Sequence, residues 1–560
     1  MRRIISLLFI IAVAGLLFSC GTENTGDFKI RLRLPIDNGD CWDDYGDDTY
    51  CINPTDQILL TIYSTPDLRQ PYEYTDRRLF RVRSTRGQEE FIRSLRSENY
   101  YRFFVEVTNA NEKLKLTGGI EGIYYDDSRN YEVNLFLGAV GDFVRVVKDR
   151  ANFDATSLKS YFEFGAGSSG SGATALKNGN LFLSGGYYYE EYMNNAMIFD
   201  MPNLTSKEVS PLRVPLKDHA VALLEDDSST GKVVIAFGEG EGGFSSEVLI
   251  YDPESDRYQS LGHKEPLTMA RALTIDGEVY IVGGCTPTAP HNKVYKVTKN
   301  GELTEYATLR QGRCNHSVAD ISTTDEEGNI NVRLLVLGGS TDAKGENPIA
   351  NNDNFAEIVT NNVSNPVNIE DRNGEDNAEL LSRGLVSSAA TRLSWDDRTY
   401  GPEVAVVSVG GYLMGGEGDS TFLLTNPNLF IFTEKEGDPD TWVYDINGAP
   451  NRCARPSISG IAAGEMSISQ FAAVNCGTDE IRRDSTDHQI IFVVQVRKSY
   501  DTEYERTIYS ASVRDTLMEE NRDPLNGVII DGPTTTNALG QAFVFGTEYV
   551  YQISGFAVPE

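Results

Sequence analysis

Apolar and polar residues alternate with a period of two along much of this chain. Phe28-Lys29-Ile30-Arg31-Leu32-Arg33-Leu34 is the clearest case, an extended strand with one side on a core and the other in water. Leu79 to Arg83 and Tyr101 to Val107 repeat the pattern, and Ile58 to Tyr63, Lys113 to Thr117 and Tyr131 to Leu137 fit further strands. Glu89 to Arg96 is expected to make one or two helical turns between them. Short strands at this spacing predict a small β-sandwich over residues 28–142.

From about residue 171 the pattern becomes a repeat: an apolar strand, a glycine pair, a variable loop and a second strand. The copies are Leu181 to Gly186, Val233 to Gly238, Val279 to Gly284, Leu334 to Gly339 and Ala405 to Gly411. Their second strands are Met197 to Asp200, Val248 to Asp252, Val294 to Val297, Ala356 to Val359 and Leu429 to Thr433. Aligned on Gly185, Gly238, Gly283, Gly338 and Gly410, the copies are 53, 45, 55 and 72 residues apart. A period of this size with four strands per unit is the mark of a β-propeller. Residues without a Cβ at the end of the strand permit close packing and positive φ. No G-x-G-x-x-G opens a helix after a strand, so a dinucleotide fold is excluded.

The copies resemble the kelch repeat of galactose-oxidase-like propellers, which carries a strand ending in Gly-Gly, a following Tyr strand and a later Trp. Glu247 to Pro253 with Tyr258 is the best copy, Tyr258 standing where kelch has Trp, and Trp442 holds that place in the copy at 410. His219 and His316 resemble the residue that opens the innermost strand. One copy reads Gly-Glu-Gly for Gly-Gly, most lack the Trp, and beyond residue 450 only the strands Ser467 to Asn475, Gln489 to Val496, Thr507 to Val513 and Gln541 to Ile553 mark it. The resemblance implies an all-β fold: a kelch-like β-propeller of six or seven blades over 143–560, with Val144 to Val147 completing the last blade, preceded by the β-sandwich.

The N-terminus is an address. Met1-Arg2-Arg3 and the apolar run Ile4 to Phe18 fit a secretory signal and fall short of the roughly 20 residues that span a bilayer. Leu17-Phe18-Ser19-Cys20 resembles the bacterial lipobox, which implies cleavage after residue 19, a lipidated (palmitate-bearing) Cys20 and a tether over 20–27. Gly21 rather than Asp after the cysteine favours the outer membrane over the inner. Six further cysteines, Cys41, Cys51, Cys285, Cys314, Cys453 and Cys476, read as three local disulfides of an oxidising compartment, 41–51, 285–314 and 453–476, although other connectivities stay open. In a four-stranded blade the loops b–c and d–a emerge on one face. Cys285 and Cys476 follow a strand b and Cys314 and Cys453 precede a strand a, so the last two bridges belong to that face.

Charge and composition narrow the function classes. The 560 residues carry 50 Lys+Arg against 82 Asp+Glu, a net charge of −32, which disfavours nucleic acid as a partner. The 28 Tyr and 25 Phe are ample for folded cores. Arg77, Arg78, Arg81, Arg83, Arg86, Arg93, Arg96 and Arg102 form either a basic face for anionic lipid or polysaccharide, or solvated strands paired with local acids. The loop Asp37 to Asp48, through Asp40, Asp43, Asp44, Asp47 and Asp48, is a weak calcium candidate against the reading of a solvated loop pinned by Cys41–Cys51. No other cofactor is implied.

Catalytic motifs are missing: five histidines in no metal-binding spacing, no Gly-x-Ser-x-Gly and no phosphate loop. Some kelch-type propellers are copper oxidases or sugar epimerases, but every cysteine here has another role, so copper is not supported. Asp438 to Trp442 is similar in part to a sialidase Asp-box and lacks its Ser and Gly. The longest loops, Tyr187 to Asn195, Ser340 to Asn354 and Tyr412 to Asn428, share the b–c face, and Tyr187, Tyr188, Tyr189 and Tyr192, with His219 and His316 nearby, are the candidate contact residues. The expectation is a membrane-anchored, non-catalytic binding protein presenting this face to protein or glycan. The alternatives are a carbohydrate-active enzyme with carboxylates at the channel mouth and a structural spacer.

Overall fold

A computed structural model describes residues 28–33, 53–146 and 170–371 with short breaks, and strand segments between 389 and 553. The lipobox, the acidic loop, Cys41, Cys51, Cys453, Cys476, Arg86 and Tyr189 lie outside the described residues. The described chain is all-β: strands in antiparallel sheets, with no helix among the described residues.

The N-terminal part holds two sheets. One runs in the order Gln88–Ile92, Phe28–Arg33, Tyr131–Phe136, with the last pair parallel; the other is ordered Glu73–Arg81, Gln57–Thr65, Asn99–Thr108, Leu114–Tyr125, Gly138–Ala139. Their alternating apolar residues meet in one core, among them Phe28, Ile30, Ile58, Ile62, Phe103 and Val133. The expected helical turn at Glu89 to Arg96 is instead the strand Gln88–Ile92, because Gln88, Glu90 and Ile92 face inward while Glu89 and Phe91 face water. Buried Glu90 is held by Arg83 and by the Gln88 carboxamide.

The strand arginines pair with neighbouring acids. Arg31 meets Glu89 at 2.7 Å and Glu132 at 2.5 Å, Arg78 meets Asp76 at 2.8 Å, and Arg102 meets Glu121 at 2.7 Å while stacking on Tyr72.

From residue 172 the described strands form seven successive antiparallel sheets, each starting from its own first strand. Sheet 1 is Gly172–Ala175, Leu181–Tyr188, Glu191–Asp200 and Thr205–Val209; sheet 2 is Ala220–Leu224, Lys232–Ala236, Gly243–Asp252 and Arg257–Leu267. Sheet 3 is Arg271–Ile275, Glu278–Val282, Lys293–Val297 and Leu303–Thr308; sheet 4 is Ser317–Asp320, Leu334–Leu337, Ala356–Thr360 and Val363–Asp371. Sheet 5 is Ala389–Leu393, Ala405–Val409, Leu429–Lys435 and Asp438–Ile446, and sheet 6 is Met466–Ala473, Gln489–Arg497 and Tyr504–Ser512. Sheet 7 is Thr534–Thr536, Ala542–Phe545 and Val550–Ile553, and its fourth strand comes from the segment that precedes sheet 1: Phe143–Val146, antiparallel to Val550–Ile553.

The first strand of each sheet touches the first strand of the next, and Thr534–Thr536 touches both Met466–Ala473 and Gly172–Ala175. The apolar cores lie between consecutive sheets rather than within them. One joins Phe182, Ile235 and Tyr251 across sheets 1 and 2, and another joins Phe237, Val248, Ile281 and Tyr295 across sheets 2 and 3. Burial on both faces of a strand explains why the copies read as short continuous apolar runs such as Val233 to Ala236. Sheets 4 and 5 also join at their outer edges, where Val363–Asp371 pairs in parallel with Asp438–Ile446. That junction encloses Trp442, fully buried with Phe432, Val406 and Ile369.

Candidate functional site

The ends of the second strands of sheets 1 to 4 build the site. Two consecutive residues there adopt positive φ: Gly185 and Gly186 at 60° and 116°, Phe237 and Gly238 at 64° and 105°, Gly283 and Gly284 at 56° and 112°, Gly338 and Gly339 at 57° and 92°. The second copy is therefore Phe237-Gly238, and the alignment that set Gly238 beside Gly185 and Gly283 is one residue out of step. Phe237 takes the left-handed angle itself, a conformation disfavoured for a bulky side chain.

These turns stitch the sheets together. The second residue donates its N–H to the segment that enters the next sheet: Gly186 to the Leu216 carbonyl at 2.8 Å, Gly238 to Leu267 at 2.8 Å, Gly284 to Arg313 at 3.1 Å. Just beyond, within sheets 2, 3 and 4, the entering segment bridges the residue after the second strand: Lys217 with Glu239, Thr268 with Cys285, and Cys314 with Ser340. Tyr187, Glu239, Cys285 and Ser340 hold one repeated position, and across each seam Lys217, Thr268 and Cys314 hold the position that follows the carbonyl bonded from the neighbouring sheet. Between sheets 3 and 4 the pair is the disulfide Cys285–Cys314, with Cα atoms 5.2 Å apart. Between sheets 1 and 2 the same two positions carry Tyr187 and Lys217, whose ammonium lies 5.0 Å from the ring centroid.

Tyr187 and Tyr192 face each other across the second and third strands of sheet 1, ring centroids 5.1 Å apart and edge to face. Lys217 also lies 5.5 Å from the Tyr192 ring and 3.4 Å from the Glu239 carboxylate. The Tyr192 hydroxyl donates to Glu239 at 2.9 Å. That bond to a carboxylate, with some desolvation, pushes the phenol up to about 12. The group is half-buried, and it joins aromatic surface to fixed charges of both signs. Tyr188 continues the strand.

His219 and His316 open the first strands of sheets 2 and 4, and both are buried, so they underlie the rim and do not form its contact surface. The His219 Nε2 sits 2.9 Å from the Ser184 hydroxyl while Nδ1 has no partner, and burial lowers its pKa to about 4. Neither nitrogen of His316 has a partner of good hydrogen-bond geometry. Burial and then the Arg271 and Arg313 charges hold its pKa well below the usual range, against the opposing Val282 and Arg313 backbone groups.

Asp218, Glu239, Lys217 and Arg271 belong to the site and escaped the sequence reading. Asp218 precedes His219 with φ 51°, as Met269 precedes Ala270 with φ 56° and Asn315 precedes His316 with φ 50°, so aligning the copies on the histidines points to it. Its carboxyl is raised by burial and by Glu239, against the lowering influence of Lys217 and Arg271. Arg271 is solvent-exposed and donates through Nε to the His316 carbonyl at 3.1 Å. Among the described residues no group of three or more His, Cys, Asp and Glu is placed to hold a metal ion.

The chain matches no known protein-family model. It matches no curated protein. Among solved structures, one titled "Structure of YjhT" aligns with 60% of this chain and 97% of its own at 11% identity and a TM-score of 0.36, a likeness too distant to carry an argument.

Proposed function

We propose that this chain is a lipid-anchored, non-catalytic binding protein of the bacterial cell envelope, seated at the outer membrane. In this reading a small β-sandwich leads into a seven-bladed kelch-like propeller that presents its loop-rich face to a protein or glycan partner. The cyclic contacts of the first strands, the cores between sheets and the Phe143–Val146 strand support the propeller. The lipobox-like Leu17 to Cys20 supports the anchor.

One observation carries the functional reading: the cluster of Tyr187, Tyr192, Lys217 and Glu239, an aromatic and charged surface fixed at a sheet-to-sheet seam. Aromatic side chains on a rigid frame bind partners at little conformational cost. The test is capture of envelope proteins and a glycan array with the full chain and with the Tyr187→Ala/Lys217→Ala variant. A partner bound at least tenfold more weakly by the variant supports the reading; partners bound equally by both overturn it. Cys20→Ser is expected to abolish acylation and release the chain from membrane fractions.

A carbohydrate-active enzyme is the second reading, and the observation that favours it is Asp218, a carboxyl kept above its ordinary pKa beside Arg271. Release of reducing sugar that Asp218→Asn abolishes would replace the first reading with this one.

A further inference from the structure

The N-terminal sheets sit against sheet 1 at close range. A Cβ on Gly122, whose φ is 73°, would stand 1.9 Å from the Asn178 carbonyl oxygen, and one on Gly179 would stand 2.9 Å from that of Glu121. Tyr72 locks the approach by accepting the Gly122 N–H at 3.1 Å, and Phe136 joins Leu181, Met201 and Phe543 in a shared apolar cluster. Beside this junction opens a cleft of about 330 Å³, whose walls are Tyr124, Arg129 and Glu132 on one side and Asn178, Asn180 and Asp200 on the other. Sheet 1 contributes through its a–b and c–d turns, so the cleft lies at the opposite end of the strands from the Tyr187 cluster.

We infer that this cleft is a binding site for a neutral saccharide of one or two rings. Its volume falls at the lower end of the roughly 300–1,000 Å³ of small-ligand sites. Its lining is dominated by carboxamides, charged groups and phenols, which suits a ligand made of hydroxyls rather than a lipid-like one. The carboxylates are already engaged: Glu132 accepts from Lys29 and Arg31, and Asp200 accepts from both nitrogens of Asn203. Arg129, which donates to the Tyr131 hydroxyl at 2.8 Å, is outnumbered in the lining by these two acids, and the net charge of −32 disfavours a phosphate or a uronate further.

The groups that remain are those a sugar uses. Asn178 gives its side-chain oxygen to the Asn180 N–H and keeps its amide donors, and the half-buried Asn180 carboxamide makes no bond. Paired donor and acceptor atoms of this kind match vicinal hydroxyls. Tyr124 is 40% exposed and braced by the Tyr100 ring 5.0 Å away, which leaves it surface for the C–H face of a pyranose.

The test is calorimetric titration of the full chain, in a detergent without a sugar headgroup, with maltose, cellobiose and diacetylchitobiose, and with digalacturonic acid as the anionic probe. The expected result is saturable binding of at least one neutral disaccharide, weakened at least tenfold by Tyr124→Ala and by Asn180→Ala and largely kept by Tyr124→Phe. Asn203→Ala, at an exposed position, serves as a further cleft variant if either alanine variant fails to fold. Failure of all three neutral probes overturns the inference, as does binding of digalacturonate alone. Loss on Lys217→Ala with the cleft variants unaffected also overturns it, and moves the sugar to the loop-rich face.

Discussion

Gly238 shows how much a single position decides. Its φ of 105° is open to glycine, and a Cβ there would lie 2.8 Å from the Cβ of His219 and 2.9 Å from the Lys217 carbonyl oxygen. Gly243 has nearly the same angle, 101°, but a Cβ there meets nothing within 4 Å. Gly243→Ala is expected to cost about 1–3 kcal/mol of backbone strain. Gly238→Ala carries the collision as well, so its urea-unfolding midpoint should fall further; equal midpoints would refute the packing described. His219 beneath it makes stability depend on pH. Its pKa is 6.5 when exposed and about 4 when folded, so the unfolded chain binds more protons between those values. Its contribution is whole above about pH 6.5 and falls by about 3 kcal/mol at most as the pH drops toward 4. His219→Gln should flatten unfolding free energy against pH over that window, and an unchanged slope would count against the burial of the imidazole.

At the scale of elements, stability concentrates where one sheet hands over to the next. The disulfide Cys285–Cys314 closes a segment of 29 residues, and a chain-entropy treatment assigns such a loop about 3–4 kcal/mol. Cys285→Ser/Cys314→Ser should lower the melting temperature, and dithiothreitol should then have less effect on the variant than on the native chain. At the same seam Arg313, fully buried, donates to the carbonyls of Gly338 at 2.9 Å and Phe355 at 3.1 Å and pairs with buried Glu357. Glu357 also accepts the backbone N–H of Arg310 at 2.7 Å and the Ser364 hydroxyl at 2.6 Å. Leucine holds the equivalent place at Leu216 and Leu267. Arg313→Leu alone leaves a buried carboxylate without its cation and should cost about 3–5 kcal/mol. Arg313→Leu/Glu357→Leu should cost less than the single change, as read by chemical unfolding.

Elements were legible in the sequence wherever two independent signals agreed. The strand at 405–409 and the segment near 144 showed themselves by apolar runs, and Cys285 and Cys314 by placement after a strand b and before a strand a. Single-residue register was not legible at Phe237, because a phenylalanine at φ 64° breaks the glycine pattern that marks the other copies. Nor was the strand Gln88–Ile92, whose inward Gln88 and Glu90 look like the polar side of a helix until Arg83 is seen beside them. Lys217, Asp218, Glu239 and Arg271 escaped because charged residues are abundant here and only the fold brings these four together.

At the scale of the whole molecule, the proposed propeller requires the sheets to form one ring, closed where Phe143–Val146 pairs with Val550–Ile553. The pairing of Phe143–Val146 with Val550–Ile553 fixes the N-terminal sheets beside sheets 7 and 1, and with them the cleft on one side and the loop-rich rim on the other. It also links residues about 400 apart, a contact that pairs late in folding because its loop closure must be met first. The register sets Val144 opposite Gln552. Val144→Cys/Gln552→Cys, oxidised in the full chain and mapped by mass spectrometry of the peptides, is predicted to form the 144–552 cross-link in high yield, while Val144→Cys/Thr534→Cys, which spans the same sheet from its outer to its inner strand, is predicted to form none. Absence of the 144–552 cross-link, or preference for 144–534, would contradict the closed ring.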